Sequence, residues 1–203
     1  MPSTTFFNLP DGKRERLLAA ARAEFARVPY EDASVNRIIQ AAGIPRGSFY
    51  MYFTDKEDLF RYLMENYGGM LENRLGQLLD HTGGDLFAAF FALFDDIRAQ
   101  WDSGVCREMA AIIRRNRQMQ PGAYLDRRGP EGILDRLRDK VALDRLDLRT
   151  DTDLCDLFRL LVFGLVGALI SAGATGDPAA ARLRLERLFG ILQRGALTKA
   201  PCC

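Results

Sequence analysis

Arg46, Ser48, Tyr50 and Tyr52 fall at every second position of one short stretch, and Lys56 follows four residues later. Side chains of these types suit nucleic acid. A guanidinium reads a guanine edge through two parallel hydrogen bonds, and hydroxyls or an ammonium bind phosphate oxygens or base edges. Phe49 and Phe53, spaced i and i+4, give the same stretch an apolar side that anchors it inward. Elsewhere the residues offer little for catalysis. His81 is the single histidine, and Cys106, Cys155, Cys202 and Cys203 form no paired CxxC motifs, so a zinc site is poorly supported. With no GxSxG and no phosphate-binding Gly-rich loop, nucleophilic catalysis also lacks parts. The residues therefore predict no catalytic site, no metal and no cofactor.

The frame that must present these groups is legible over residues 34–56. Ser34 reads as a helix N-cap, and Val35, Ile38, Ile39 and Ala42 follow at helical spacing. Gly43, after the small pair Ala41-Ala42, accepts the left-handed backbone of a tight turn and lets two helices cross steeply. Pro45 suits the first position of the next helix, residues 46–53. Thr54-Asp55-Lys56-Glu57 opens another, and Lys56 stands where main-chain N–H groups and the positive helix end also favour phosphate. Two helices joined by a Gly turn, the second short and polar on one face, predict a helix-turn-helix whose second helix enters the DNA major groove. Ordinary helical corners share the Gly turn and the aromatic spacing, so the pattern by itself leaves both readings open.

Helical periodicity continues through the rest of the chain. The expected helices cover residues 13–28 (capped by Asp11, with Leu17, Leu18, Ala21 and Phe25 on one stripe), 35–42, 46–53, 56–79 (weakened or bent at Gly68-Gly69), 85–101, 105–118, 131–142, 152–174 and 178–197. Pro121-Gly122 and Gly129-Pro130 punctuate a looser region. No run alternates with period two, so the chain is all-α with about nine helices. Its 203 residues, 48% of them hydrophobic, can bury a substantial core. Net charge is +1, and residues 1–60 hold eight Lys or Arg against eight Asp or Glu. That balance predicts few phosphate contacts per subunit and binding that needs a dimer, with Lys13, Arg14 and Arg16 adding to the contacts. The opening MPSTTFFNLPDGKRER lacks the apolar core of a signal peptide, and the longest apolar run, residues 160–170, falls short of the about 20 residues of a membrane span. A cytoplasmic protein with no membrane partner is expected. Cys106 and Cys155 read as small buried residues in helices, and Cys202-Cys203 as a frayed tail.

The stretch AAGIPRGSFYMYFTDKEDLF, with RERLLAAARAEFARVPYEDASVNRIIQAAG upstream, resembles the signature of the TetR family of bacterial transcriptional regulators. In that signature Ala-Gly-Val/Ile leads to Gly-Ser/Thr-hydrophobe-Tyr, then His/Tyr-Phe and Lys-Glu-x-Leu. The likeness covers about residues 12–60, and the remainder matches in size and helical character. The resemblance implies a three-helix DNA-binding domain at residues 1–55 and a C-terminal domain for dimerisation and ligand binding at residues 56–203. Carried over by motif position, Tyr50, Tyr52 and Lys56 look like phosphate contacts, and Arg46 and Ser48 like groove-facing residues. Ser34 and Arg37 look like further backbone contacts. Pro45 stands where Ser is common, Ile39 where Ala is usual, and Met51 at a variable position that obscures base preference.

In the C-terminal part, Gly164, Gly167, Ala168 and Ser171 let another helix come close. The last helix carries Leu183, Leu185, Leu188, Phe189 and Leu192 beside Arg182, Arg184, Arg187 and Arg194. These last two helices from two subunits would form a four-helix bundle, as the family usually dimerises, although the first of them equally suits the buried centre of its own subunit. Phe87, Phe90, Phe91, Phe94 and Trp101 lie on or near one face, opposed by Met109, Ile112, Ile113, Phe158 and Leu161. Such a stripe is that of a packed core, and also that of the cavities in ligand-responsive relatives, which implies an apolar or aromatic effector. Arg98, Arg114 and Arg115 are solvated or meet an anionic head group. The leading expectation is a ligand-responsive repressor that binds a pseudo-palindromic operator as a homodimer. The competing ones are an architectural DNA-binding protein without an effector pocket and an all-α enzyme, for which His81 is the residue to substitute.

Overall fold

Ten α-helices and two 3-10 turns dominate the computed structural model, which describes residues 1–101, 104–116 and 130–196. In chain order the helices are α1 (Thr4–Phe7), α2 (Asp11–Arg27), α3 (Val35–Ala42), α4 (Arg46–Tyr52), α5 (Lys56–His81), α6 (Leu86–Ala99), α7 (Val105–Arg115), α8 (Pro130–Leu137), α9 (Asp153–Thr175) and α10 (Pro178–Ala196). Among the described residues there is no strand, and the all-α class holds. The expected helix end at Gln118, the punctuation at Pro121-Gly122 and Gly129, and the Cys202-Cys203 tail lie outside the described residues.

The helix that periodicity did not predict is α1. Four residues carry too little pattern to read, yet Ser3 caps the helix by accepting from the Phe6 N–H at 3.4 Å, and Phe6 is fully buried. Two caps differ from expectation. Pro10, not Asp11, precedes α2, and Asp11 is its first residue, paired with Arg14 at 2.6 Å. Pro45 is likewise the N-cap of α4 and not its first residue. Asp55 caps α5, taking the Asp58 N–H at 2.8 Å.

Helix α5 runs unbroken through Gly68-Gly69. Each helical Gly costs about 1 kcal/mol relative to Ala, which the burial on both sides outweighs. Leu59, Phe60, Leu63, Met64 and Tyr67 enter one apolar cluster with α1–α4. Leu75, Leu78 and Leu79 enter a second with α6, α8, α9 and α10. The first cluster also takes Met109, Ile112 and Ile113 from α7. A division at residue 55 thus passes through this first core, which takes in the first half of α5 and three buried residues of α7.

The α5–α6 corner depends on Gly84, at φ +80°. A Cβ there would stand 2.6 Å from the Ala142 nitrogen, because the Ala142 N–H donates to the Gly84 carbonyl at 3.0 Å. That contact ties the segment after α8 to the corner. Helix α9, with 23 residues, exceeds the 160–170 run and is long and apolar enough to cross a membrane by length and composition alone. It packs one stripe, Leu154, Leu157, Phe158, Leu161, Leu165, Ala168 and Ala172, into the second core and leaves Leu160 and Phe163 exposed.

Candidate nucleic-acid interface

The α3–α4 corner is held at three points. The Ser34 hydroxyl accepts from the Arg37 N–H at 3.5 Å and caps α3. Gly43, at φ 66° and ψ 37°, ends that helix in the left-handed region, and the Ile44 N–H returns to the Ile39 carbonyl at 3.1 Å. Phe49 and Phe53 are sealed in the first core, their rings 5.9 Å apart. The opposite face of α4 is consequently turned to solvent: Arg46, Gly47, Tyr50 and Met51 are all exposed. The Arg46 guanidinium donates to Asn36 Oδ1 of α3 at 2.9 Å and lies 6.0 Å from the Tyr50 ring centroid. Asn36 carries little signal in the sequence. Its signal is a polar residue in the first turn of α3, ten positions before Arg46, that only the turn geometry brings alongside.

The other expected contacts divide. Arg37 is exposed, whereas Ser34, Ser48 and Tyr52 are half-buried at the edges of the same surface. Lys56 departs from the expected outward phosphate contact. Its ammonium donates to the carbonyls of Tyr30 at 2.6 Å, Glu31 at 3.0 Å and Ala33 at 3.0 Å, and it sits 4.5 Å over the Tyr30 ring. All three of its N–H donors are thereby engaged, and the side chain ties the loop before α3 to the start of α5.

Glu24, buried in α2, does the matching work from below. Its carboxylate accepts from the Ser34 N–H at 3.0 Å and from both the Nε and an Nη of Arg27 at 3.0 and 2.9 Å. Burial alone would raise its pKa, but the Ser34 and Arg27 hydrogen bonds and the nearby Arg27 and Arg37 charges hold it below its ordinary value. Asp58 is lowered in the same way. Its burial is outweighed by the Met1 ammonium at 2.5 Å, the Thr54 N–H and Arg61. Asp11, Glu15, Glu24 and Glu57 are all paired with scaffold arginines. Lys13, Arg16 and Arg37 form no ion pair among the described residues. Glu31, Asp32 and Asp55 are exposed and likewise form no ion pair among the described residues, so the surface of residues 1–60 carries free charge of both signs.

Helix α7 joins this head to the rest. The Asn116 side chain, just past its end, accepts the Tyr30 N–H at 2.8 Å and donates to the Ile112 carbonyl at 2.8 Å. Arg115 Nε donates to the Ala26 carbonyl at 2.7 Å. The Tyr30–Ala33 loop is therefore gripped by Lys56 of α5 and by the end of α7 together.

Among the described residues, those expected to line an effector pocket divide between the two cores. Met109 belongs to the first core. Phe87, Phe90, Phe158 and Leu161 are sealed in the second, where Phe90 meets Phe158 at 5.5 Å, and half-buried Phe91 meets Phe189 at 5.0 Å. One cleft, of about 330 Å³, is lined by Phe94 and Trp101 together with Arg98, Leu169, Ala172, Gly176 and Pro178. A second groove, of about 480 Å³, lies between α9 and α10 and is lined by Phe163, Gly167, Ile170, Ser171, Ala174, Arg184 and Leu188, with Gly164, Ala168 and Arg114. Gly164 admits Phe189 of the same chain, since a Cβ there would stand 2.9 Å from its ring. Gly167 faces open space. His81 is exposed, its Nδ1 2.7 Å from the Gln77 carbonyl oxygen, and Cys106 and Cys155 are free and half-buried. No group of His, Cys, Asp and Glu that could hold a metal occurs among the described residues.

Known proteins share this arrangement. The family model described as bacterial regulatory proteins, tetR family, matches residues 17–63. The HTH-type transcriptional repressor AcnR of Corynebacterium efficiens is 43% identical over 171 residues, covering 82% of this chain and 85% of that protein. A TetR family transcriptional regulator from Chloroflexus aurantiacus has a crystal structure that superposes with a TM-score of 0.56 at 26% identity, over 98% of this chain and 100% of that one. The fatty acid degradation regulator FadR from Bacillus halodurans shares the fold, with a TM-score of 0.65 at 17% identity over 93% of this chain and 97% of that one.

Because the Glu24 carboxyl is held below its ordinary value of 4.5, the unfolded chain binds its proton first as pH falls. Its contribution is full above that value and is lost as pH drops through the lower folded one. Glu24→Gln is expected to cost about 1–3 kcal/mol at pH 7, and the gap to the unsubstituted chain should narrow between about pH 5 and pH 3. Urea midpoints measured across that range check both points, and a gap independent of pH would contradict the assignment.

Proposed function

The chain belongs to the TetR family of bacterial regulatory proteins, and from that premise we propose that it represses transcription by binding a pseudo-palindromic operator as a homodimer and releasing it when an apolar or aromatic effector binds. As a helix-turn-helix transcription regulator it is not an enzyme. The observation that carries the reading is the polarity of α4: Phe49 and Phe53 are sealed below while Arg46, Tyr50 and Met51 stand exposed above. Arg46, oriented by Asn36, is assigned to a base edge with Ser48 beside it. Tyr50, Tyr52, Ser34 and Arg37 are assigned to phosphates. Lys56 contributes charge and the main-chain start of α5, while its side chain holds the loop. A regulator of this kind works in the cytoplasm, where its operator is.

The exposed apolar stripe of α9 and α10, with Leu160 and Phe163 beside Leu188 and Ile191, supports twofold pairing. The open groove at Gly167 suits a partner helix. Such a dimer presents two reading helices to half-sites about 34–36 Å apart or a multiple of that. For the effector we favour the Phe94–Trp101 cleft, with Arg98 at its rim. Occupancy there would bias α6 and α9, and the α7 contacts at Asn116 and Arg115 offer a route to the loop before α3. The sealed Phe87 and Phe90 favour the second reading, a DNA-binding protein without an effector, and the cleft is what stands against it.

Three measurements test these assignments. On a duplex from the chain's own upstream DNA, Arg46→Ala should lose about 1–3 kcal/mol at one base position and relax preference there. Tyr50→Phe should weaken all sequences alike, and unchanged affinity in both variants would overturn the DNA reading. In sedimentation, Phe163→Glu with Ile191→Glu should convert a dimer to a monomer with the fold intact; an unsubstituted chain that sediments as a monomer would remove the pairing. Trp101 is the one tryptophan, so its quenching by anilinonaphthalene sulfonate, weakened in Arg98→Ala, would locate an aromatic anion in the cleft. Unaltered Trp101 emission would place the effector elsewhere.

A further inference from the structure

We infer that residues 3–9 are a strap that positions the reading helix, with Ser3 and Phe6 acting on DNA recognition through α4 and not through contact with DNA. The last four carbonyls of any α-helix lack a partner within it, and in a seven-residue helix they are most of the helix. In α4 the Phe49 carbonyl accepts the Phe53 N–H at 2.9 Å. Donors for the Met51 and Tyr52 carbonyls come from the strap. The Ser3 hydroxyl donates to the Met51 carbonyl at 2.6 Å, and the Ser3 N–H donates to the Tyr52 carbonyl at 2.9 Å. One residue, remote in sequence, thus closes two of the four orphan acceptors at the end of the helix that carries Arg46 and Tyr50.

Ser3 can do this because it is fixed from both sides. Its hydroxyl oxygen also accepts the Phe6 N–H at 3.4 Å, which ties it to α1. Phe6 is fully buried, with Phe53 at 4.9 Å, Tyr62 at 5.1 Å and Tyr52 at 6.4 Å between ring centroids. At the far end of α1, Arg14 of α2 donates to the Phe7 carbonyl at 3.2 Å. The strap therefore spans from α2 to the C-terminal turn of α4 and sets the axis along which Arg46 and Tyr50 face outward. Ser3 and Phe6 are positioning residues: Phe6 has no exposed surface to offer a ligand, and both hydrogen bonds of Ser3 as donor end on main chain.

The inference rests on α4 being the DNA-reading helix, and the test separates the two ideas. In the full chain, amide hydrogen exchange is measured over residues 49–53 for the unsubstituted protein, Ser3→Ala, Ser3→Thr and Phe6→Leu. Binding by each is measured on the chain's own upstream duplex and on a scrambled duplex at one salt concentration. Ser3→Ala should exchange about fivefold to tenfold faster and bind the upstream duplex about threefold to tenfold more weakly, with scrambled-duplex affinity kept within about twofold. Ser3→Thr, which keeps the hydroxyl, should restore both, and Phe6→Leu should reproduce the loss of discrimination at an unchanged far-ultraviolet spectrum. Exchange unaltered in both Ser3→Ala and Phe6→Leu overturns the strap. Faster exchange with equal losses on both duplexes overturns its positioning role. If the unsubstituted protein fails to prefer the upstream duplex, it is the sequence-reading assignment that fails, and the exchange comparison still decides whether the strap holds α4.

Discussion

A helix of seven residues cannot hold its shape in water. Isolated helices shorter than about 12–15 residues are marginal even with favourable composition, so α4 exists because its surroundings impose it. Phe49 and Phe53 supply the burial, Gly43 sets the entry, and the Ser3 contacts close the exit. Around this fixed point the other features have a common purpose. Glu24 and Lys56 pin the loop that leads into α3, one through its Ser34 amide and the other through three carbonyls. The outward face of α4 is left with Arg46, Tyr50 and Met51 exposed to solvent.

The two apolar clusters explain why this head is not an independent appendage. Its core is completed by Tyr67 of α5 and by Met109, Ile112 and Ile113 of α7, elements that belong by chain order to the larger part. Asn116 and Arg115 then add hydrogen bonds directly to the α2–α3 connection. Helix α7 therefore meets the α2–α3 connection by direct packing and hydrogen bonds, the kind of contiguous contact through which two sites can be coupled.

Much of this was legible in the sequence, because the deciding features were local. The helices announced themselves by period, Ser34 and Asp55 by their capping chemistry, and Gly43 by the turn it permits. The family signature covered about residues 12–60 of the head. What was not legible depended on partners far apart in the chain. Lys56 has the composition of a phosphate ligand, and only the position of the Tyr30–Ala33 carbonyls turns it inward. Phe87, Phe90 and Phe158 have the spacing of a pocket wall, yet Phe189 from the last helix packs against Phe87 and Phe90, and Phe90 packs against Phe158. Ser3 and Phe6 carry no pattern at all, since four helical residues give periodicity nothing to repeat.

Helix α5 has one more consequence. Its 26 residues make a rod about 39 Å long, anchored at one end among the reading elements and at the other among the packed phenylalanines of the larger part. A rod amplifies angle into distance: tilting this one by about 5° sweeps its tip through about 3 Å, close to the 3.4 Å separating successive bases along a strand. A lever of that length would turn a small reorientation between the two cores into a displacement of about one base step at the tip.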